Sequence, residues 1–187
     1  MKKESSGLYI LRLALTLLVI TAVMAGALAA VNSITKPIIA GITAEKTQKA
    51  IEAVLPGGYD KEVERFTDPT GLIQKIYHGP KGYAIEVVPS GFDGPVTMMV
   101  GIGTDGKVLA IQIIDHSETP SLGAVAAATS SAGQNFRDQF VGASGSVSVT
   151  KDGGDIAAIT GATVTSRAIC AGVNAALAWF AELEVAQ

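Results

Sequence analysis

The segment Gly101-Ile102-Gly103-Thr104-Asp105-Gly106 leads directly into Lys107-Val108-Leu109-Ala110-Ile111-Gln112-Ile113-Ile114. Its first six residues match G-x-G-x-x-G, the pattern of a dinucleotide-binding loop. That loop must open a helix whose N-terminus holds a pyrophosphate. Residues 107–114 are instead β-branched and strand-like, and Asp105-Gly106 is a hairpin-turn pair. The segment therefore reads as two antiparallel strands joined by a tight turn, which contradicts a Rossmann loop.

Outward from this hairpin, residues 72–77, 82–88, 95–101 and 107–114 predict an antiparallel meander, punctuated by Gly-Pro-Lys-Gly, Gly-Phe-Asp-Gly-Pro and Thr-Asp-Gly. Residues 124–141 predict helix with Phe136 and Phe140 on one face. Residues 146–149 and 156–159 flank Lys-Asp-Gly-Gly-Asp as a hairpin. A last helix starts near Thr165, with Ile169, Val173, Leu177 and Phe180 on one stripe and Arg167, Asn174 and Glu182 off it. The fold class is α+β.

Toward the N-terminus, the nineteen residues Leu13–Val31 carry no charge. As a helix they reach roughly 28 Å, close to the hydrocarbon thickness of a bilayer. Ala25-Gly26-Ala27 and Ala27-Leu28-Ala29 resemble signal cleavage sites, but the apolar run exceeds an ordinary signal core, which favours a retained anchor. Lys2, Lys3 and Arg12 before the span predict a cytoplasmic N-terminus and an extracytoplasmic bulk. Lys36-Pro37 then interrupts the pattern, and a stalk helix follows. The expected organisation is a cytoplasmic N-terminus at 1–12, a transmembrane helix at 13–35, a stalk helix at 36–58 and an extracytoplasmic domain at 59–187.

Composition narrows the function. A formal charge of −3, without a long run of either sign, offers no footprint for nucleic acid. A lone cysteine, Cys170, rules out an internal disulfide, and it joins two distant histidines, His78 and His116, in making a built-in metal centre improbable. Cys170 reads as a small buried hydrophobe, and Trp179 and Phe180 as core or interface residues.

Thr160-Gly161-Ala162-Thr163-Val164-Thr165-Ser166 connects a predicted strand to the last helix and gathers hydroxyls at its N-terminus. Unpaired backbone N–H groups and the helix dipole favour an anion there, and Gly161 and Ala162 admit it without a clash. An ordinary Thr or Ser helix cap would show the same spacing. Arg167, one turn on, is positioned to balance a phosphate charge or to lie on the surface.

Thr160-Gly161-Ala162-Thr163 resembles the [S/T]-G-A-[T/S] motif of the FMN-binding domains of Rnf and sodium-pumping quinone reductase complexes. There, a flavin transferase forms a phosphoester between FMN and threonine. About forty residues upstream, His116-Ser117-Glu118-Thr119-Pro120-Ser121-Leu122-Gly123 is similar to the same family's H-x-E-T-P-G-L-G loop, which lies by the flavin. Two positions depart from the pattern: Ala157 stands where an aspartate is common, and Ser121 stands where glycine is usual. The short chain favours the Rnf G-subunit branch.

The resemblance implies that Thr163 carries covalent FMN, that Glu118, Thr119, Leu122 and Gly123 border it, and that Thr160, Gly161, Ala162 and Thr165 shape its phosphate seat. Trp179 and Phe180 still read as core or interface residues rather than flavin stackers. It further implies an electron-carrying subunit, not a catalyst on its own, within a membrane complex of iron-sulfur and flavin subunits. That complex would pass electrons from ferredoxin toward NAD with export of sodium ions or protons. The rivals are a pilin-like structural subunit, a colourless tethered ligand-binding module and a freestanding flavin carrier.

Overall fold

The computed structural model describes residues 6–185; the basic start at Lys2 and Lys3 lies outside them. The chain divides into two compact units, Met1–Glu45 and Lys46–Gln187.

The described residues of the first unit are helical. Helix α1 spans Ser6–Val54 and contains Pro37. The predicted interruption at Lys36-Pro37 is therefore absent, and the helix ends four residues short of 58. Proline's fixed φ suits a helix and its ring forfeits a single hydrogen bond, a cost of about 3 kcal/mol that a long ladder on both sides absorbs. Leu11, Leu17, Leu28 and Ile34 are exposed along α1. By length and composition this helix is apolar enough to cross a bilayer.

The second unit is built on a five-stranded antiparallel meander: β1 Lys61–Glu62, β2 Ile73–Gly79, β3 Gly82–Val87, β4 Val96–Gly103 and β5 Val108–His116, in that order across the sheet. The G-x-G-x-x-G match is the β4–β5 hairpin, with Gly106 at φ 74°. Period-two alternation sorts the side chains onto two faces. Met98, Val100 and Ile102 of β4 enter one core with Ile85, Val87 and helix α3, Thr163–Val185. Met99 enters the other, with Tyr77, Ala84 and the α1 residues Ala50, Ile51, Val54 and Leu55. The sheet thus has the end of α1 on one side and α3 on the other. Gly101 permits the first contact, since a Cβ there would lie 2.2 Å from the Val54 carbonyl oxygen.

Two predicted elements differ. Residues 124–141 are not one helix. A 3-10 turn at Gly123–Ala127 ends at extended Ala128, and α2, Ser131–Asp138, begins anew from Ser130, whose hydroxyl accepts from Gly133 N–H at 3.4 Å. The expected hairpin at 146–159 is instead a looped-out 3-10 turn, Thr150–Asp152, closed by a parallel bridge between Val149 and Ile156. Its Gly-Gly pair serves this closure: Gly153 takes φ 85°, and a Cβ on Gly154 would lie 2.1 Å from the Ser148 carbonyl oxygen. Helix α3 starts two residues before Thr165, so Thr163 is its first residue. Its stripe of Ile169, Val173, Leu177 and Phe180 is buried, as are Cys170 and Trp179.

Candidate functional site

The end of β5, the start of α3, the β3–β4 connection and the 150–152 turn converge on a cavity of about 320 Å³. Glu118, Thr119, Leu122 and Gly123 line it from the β5 side. Gly161, Ala162, Thr163, Val164 and Thr165 line it from the α3 side, and Phe92 and Lys151 complete the wall. Of the flavin-site residues that the resemblance implied, all but Thr160 line it. Thr160 is exposed and lines a neighbouring cavity with Ser121, Gln139 and Ala157.

The α3 side is built around a turn. Ala162 N–H donates to the Ile159 carbonyl at 2.9 Å, with Gly161 at φ 77° in the third position, where a type II turn needs glycine. The helical ladder begins when Ser166 N–H donates to the Ala162 carbonyl at 3.0 Å. The N–H groups of Thr163, Val164 and Thr165 precede that first bond, as at any helix start. Ser166 Oγ accepts from Ile159 N–H at 3.0 Å and donates to the Ala162 carbonyl at 2.9 Å, tying the turn to the helix. Thr165 and Ser166 are 1% and 0% exposed, whereas Thr163 is half-buried at the cavity wall.

Opposite, the loop after β5 folds on itself, because the Thr119 carbonyl accepts from both Leu122 and Ala124 N–H at 3.2 Å. This fold holds Ser121 at φ 64°, the one non-glycine residue with positive φ among those described. Glu118 is 6% exposed. Its Oε1 accepts from the N–H groups of Phe92 at 2.8 Å and Asp93 at 3.3 Å, and its Oε2 accepts from Thr165 Oγ1 at 2.5 Å. His116 Nδ1 accepts from Glu118 N–H at 3.2 Å, so His116 steadies the loop. Thr119 Oγ1 donates to Asp93 Oδ2.

Two positive groups sit near the helix start, with different commitments. Arg167 donates to both oxygens of Asp152, at 2.7 and 2.6 Å, and does not line the cavity. The hydrogen bond from Arg167, reinforced by its charge, holds the Asp152 carboxyl below its ordinary pKa. Lys151, next along the same turn, places Nζ 3.4 Å from Thr163 Oγ1. Lys151, Phe92 and Val164 are the lining residues not assigned to the site from sequence, Val164 entering there only as part of the motif. The cue for Lys151 was available in a basic residue on a Gly-Gly loop twelve residues before Thr163, but only the folded loop brings the two together.

This donor set fits a phosphate ester. A helix N-terminus and a lysine ammonium face the Thr163 hydroxyl, and a glycine and an alanine leave room beside it. A cavity of 320 Å³ is within the range of small-molecule sites. No group of His, Cys, Asp and Glu side chains among the described residues is arranged to hold a metal ion.

Comparison with known proteins agrees with this chemistry. The FMN-binding domain family matches residues 91–178, from the glycine before Phe92 to the last third of α3. The chain is 35% identical to the G subunit of the Na(+)-translocating ferredoxin:NAD(+) oxidoreductase complex of Acetobacterium woodii, over 88% of each chain. It is 31% identical to the G subunit of the ion-translocating oxidoreductase complex of Methanosarcina acetivorans, over 90% of this chain and 93% of that one. It is also 31% identical to the G subunit of the proton-translocating ferredoxin:NAD(+) oxidoreductase complex of Clostridium ljungdahlii, over 86% of each. The chain belongs to the G-subunit family of ion-translocating ferredoxin:NAD+ oxidoreductase (Rnf) complexes and carries that family's FMN-binding domain.

Proposed function

We propose that this chain is the electron-carrying flavin subunit of such a complex, with FMN attached by a phosphoester to Thr163. The observation that carries the reading is the position of Thr163, the first residue of a 23-residue helix, with its hydroxyl on the cavity wall and 3.4 Å from Lys151 Nζ. Burial argues against Thr165 and Ser166 as acceptors, and the neighbouring cavity argues against Thr160.

In this reading Lys151 and the first N–H groups of α3 hold the phosphodiester charge, and Gly161 and Ala162 give it room. The bound flavin supplies reversible electron uptake and release. Glu118 and Thr165 fix the two cavity walls relative to each other. A tether raises the local concentration to the order of mM, so the ring needs only a shallow site with weak intrinsic affinity. Helix α1 anchors the chain with its N-terminus in the cytoplasm, the flavin domain lies outside the cell membrane, and a flavin transferase loads it there. Electrons from ferredoxin pass through this flavin and its partner subunits toward NAD+, with export of Na+ or H+, the ions named for the relatives.

The test is in-gel flavin fluorescence of the denatured chain, expressed beside a flavin transferase, comparing wild type with Thr163→Val. Emission that survives denaturation in wild type and is lost in the variant supports the assignment. Emission retained in the variant moves the acceptor elsewhere, and a colourless wild type defeats the reading.

A further inference from the structure

We propose that Phe92 is the side chain against which the flavin ring packs, and that Glu118 is its positioning residue. This rests on the assignment of the phosphoester to Thr163.

Phe92 combines a fixed backbone with a free ring. Its loop joins β3 to β4 and is closed by the Ser90–Pro95 bridge and by Gly91 N–H donating to the Gly94 carbonyl at 2.7 Å. The loop is then fastened from below: Glu118 Oε1 accepts from Phe92 and Asp93 N–H, and Asp93 Oδ2 accepts from Thr119. A Cβ on Gly91 would lie 2.1 Å from Glu118 Oε1, so the carboxylate fills the space that a side chain there would need. Yet Phe92 is 68% exposed. An aromatic held in place at a cavity edge, with its own burial unrealised, is a surface awaiting an apolar partner.

The partner's chemistry follows from the rest of the wall. Thr163 and Lys151 occupy the anion-holding part of the cavity, and Phe92 is the one aromatic residue lining it. A molecule tethered at one end through phosphate and ending in a planar fused heteroaromatic ring meets both features, because offset stacking favours one flat π system over another. Glu118 acts through the loop. Its Oε2 is held by Thr165 in the first turn of α3, so one buried carboxylate ties the ring-bearing loop to the acceptor helix.

The experiment uses the full chain, flavin-loaded by coexpression with a flavin transferase, in detergent. The cavity lining contains no Trp or Tyr, so Phe92→Trp introduces one electron-rich quencher. In van der Waals contact, the excited flavin takes an electron from the indole and returns it in the dark. The expected result is a several-fold loss of native flavin emission in Phe92→Trp, recovered on denaturation, with Phe92→Ala instead raising the rate of iodide quenching several-fold. In the Phe92→Trp background, Glu118→Gln retains the quenching, because its amide oxygen still accepts from the loop, and Glu118→Ala restores emission. Native emission in Phe92→Trp equal to wild type, at equal flavin content, overturns the proposal for Phe92. Quenching unchanged in Glu118→Ala overturns the role of Glu118. A chain that carries no flavin at all, read on the denatured gel, defeats the Thr163 assignment instead.

Discussion

Glu118 Oε2 and Thr165 Oγ1 lie 2.5 Å apart across forty-seven residues of sequence, both buried. This hydrogen bond joins the loop after β5 to the first turn of α3, the two walls of the cavity. A buried carboxylate is tolerated when its oxygens are satisfied and is costly when one is not.

Thr165→Val removes the donor and leaves Oε2 without it. The expected loss is about 2 kcal/mol of stability, read as a lower denaturation midpoint with unchanged slope in denaturant unfolding. Thr165→Ser keeps the hydroxyl and most of the stability. Gly123→Ala should be at least as damaging as the valine, because its Cβ would lie 2.2 Å from Glu118 Oε2 and 2.7 Å from Thr165 Oγ1. A Thr165→Val chain as stable as wild type would show that this bond contributes nothing net.

Ser121→Gly is expected to stabilise. Ser121 sits at φ 64°, a left-handed conformation that costs a residue with a Cβ roughly 1–2 kcal/mol. Glycine adopts it freely but loses more entropy on folding, so the net gain is about 0.5–1 kcal/mol. A rise in the thermal midpoint checks it, and a fall would mean that the serine side chain contributes more than its backbone strain costs.

The same position shows what the sequence could and could not convey. Ser121 was legible as a departure from a glycine pattern, but the positive φ that gives the departure its meaning belongs to the folded loop. The meander was readable because each strand alternates and each turn carries Gly, Pro or Asp-Gly, all local signals. Pro37 misled, because a helix breaker is a statement about one hydrogen bond, and long flanking ladders outweigh it. Lys-Asp-Gly-Gly-Asp misled likewise, since glycines that suit a hairpin turn also suit a closely packed loop. Lys151 and Phe92 were missed for a deeper reason. Neither has a local signature, and their meaning comes from contacts with Thr163 and Glu118 that only tertiary structure supplies.

Cys170 should be inert in the folded chain. Burial, with a smaller contribution from the negative Asp152, pushes its thiol pKa up to about 11. Little thiolate exists at pH 8, and the residue is 4% exposed. A thiol-specific disulfide reagent at pH 8 should therefore react on the timescale of unfolding, with full reaction in denaturant. Rapid stoichiometric labelling of the native chain would contradict this packing.

Gly101→Ala tests the contact between the end of α1 and the sheet. The added methyl would lie 2.2 Å from the Val54 carbonyl oxygen and 2.9 Å from Val54 Cβ, so the last turn of α1 must shift or the strand must bend. Overpacking of this kind costs about 1–3 kcal/mol. Faster proteolysis between residues 46 and 60 than in wild type is the expected readout, and an unchanged pattern would mean that this turn moves without penalty.

Lys151→Gln addresses which cation serves Thr163, the proposed acceptor. The 150–152 turn offers Lys151 to Thr163 and engages Asp152 with Arg167, so the two basic groups are separated by their partners. Removing the ammonium should lower flavin incorporation at Thr163 roughly tenfold, the scale of one charge-assisted contact to phosphate. Lys151→Arg should retain most of it. Added salt should depress wild-type incorporation toward the variant's level, because the site is open to solvent. Arg167→Gln acts indirectly: it frees the Asp152 carboxylate beside Lys151, which then competes for the same ammonium. The sign with pH follows from Asp152, whose folded pKa Arg167 lowers. The Asp152–Arg167 pair is present above the unfolded carboxyl's range and is lost only as pH falls through that lowered value. In the Arg167→Gln chain, Asp152 protonates at a higher pH than in wild type. Its incorporation defect should therefore ease only as pH falls into the ordinary carboxyl range, whereas the Lys151→Gln defect should not ease there. Equal pH behaviour of the two variants would show that Arg167 does not act through Asp152.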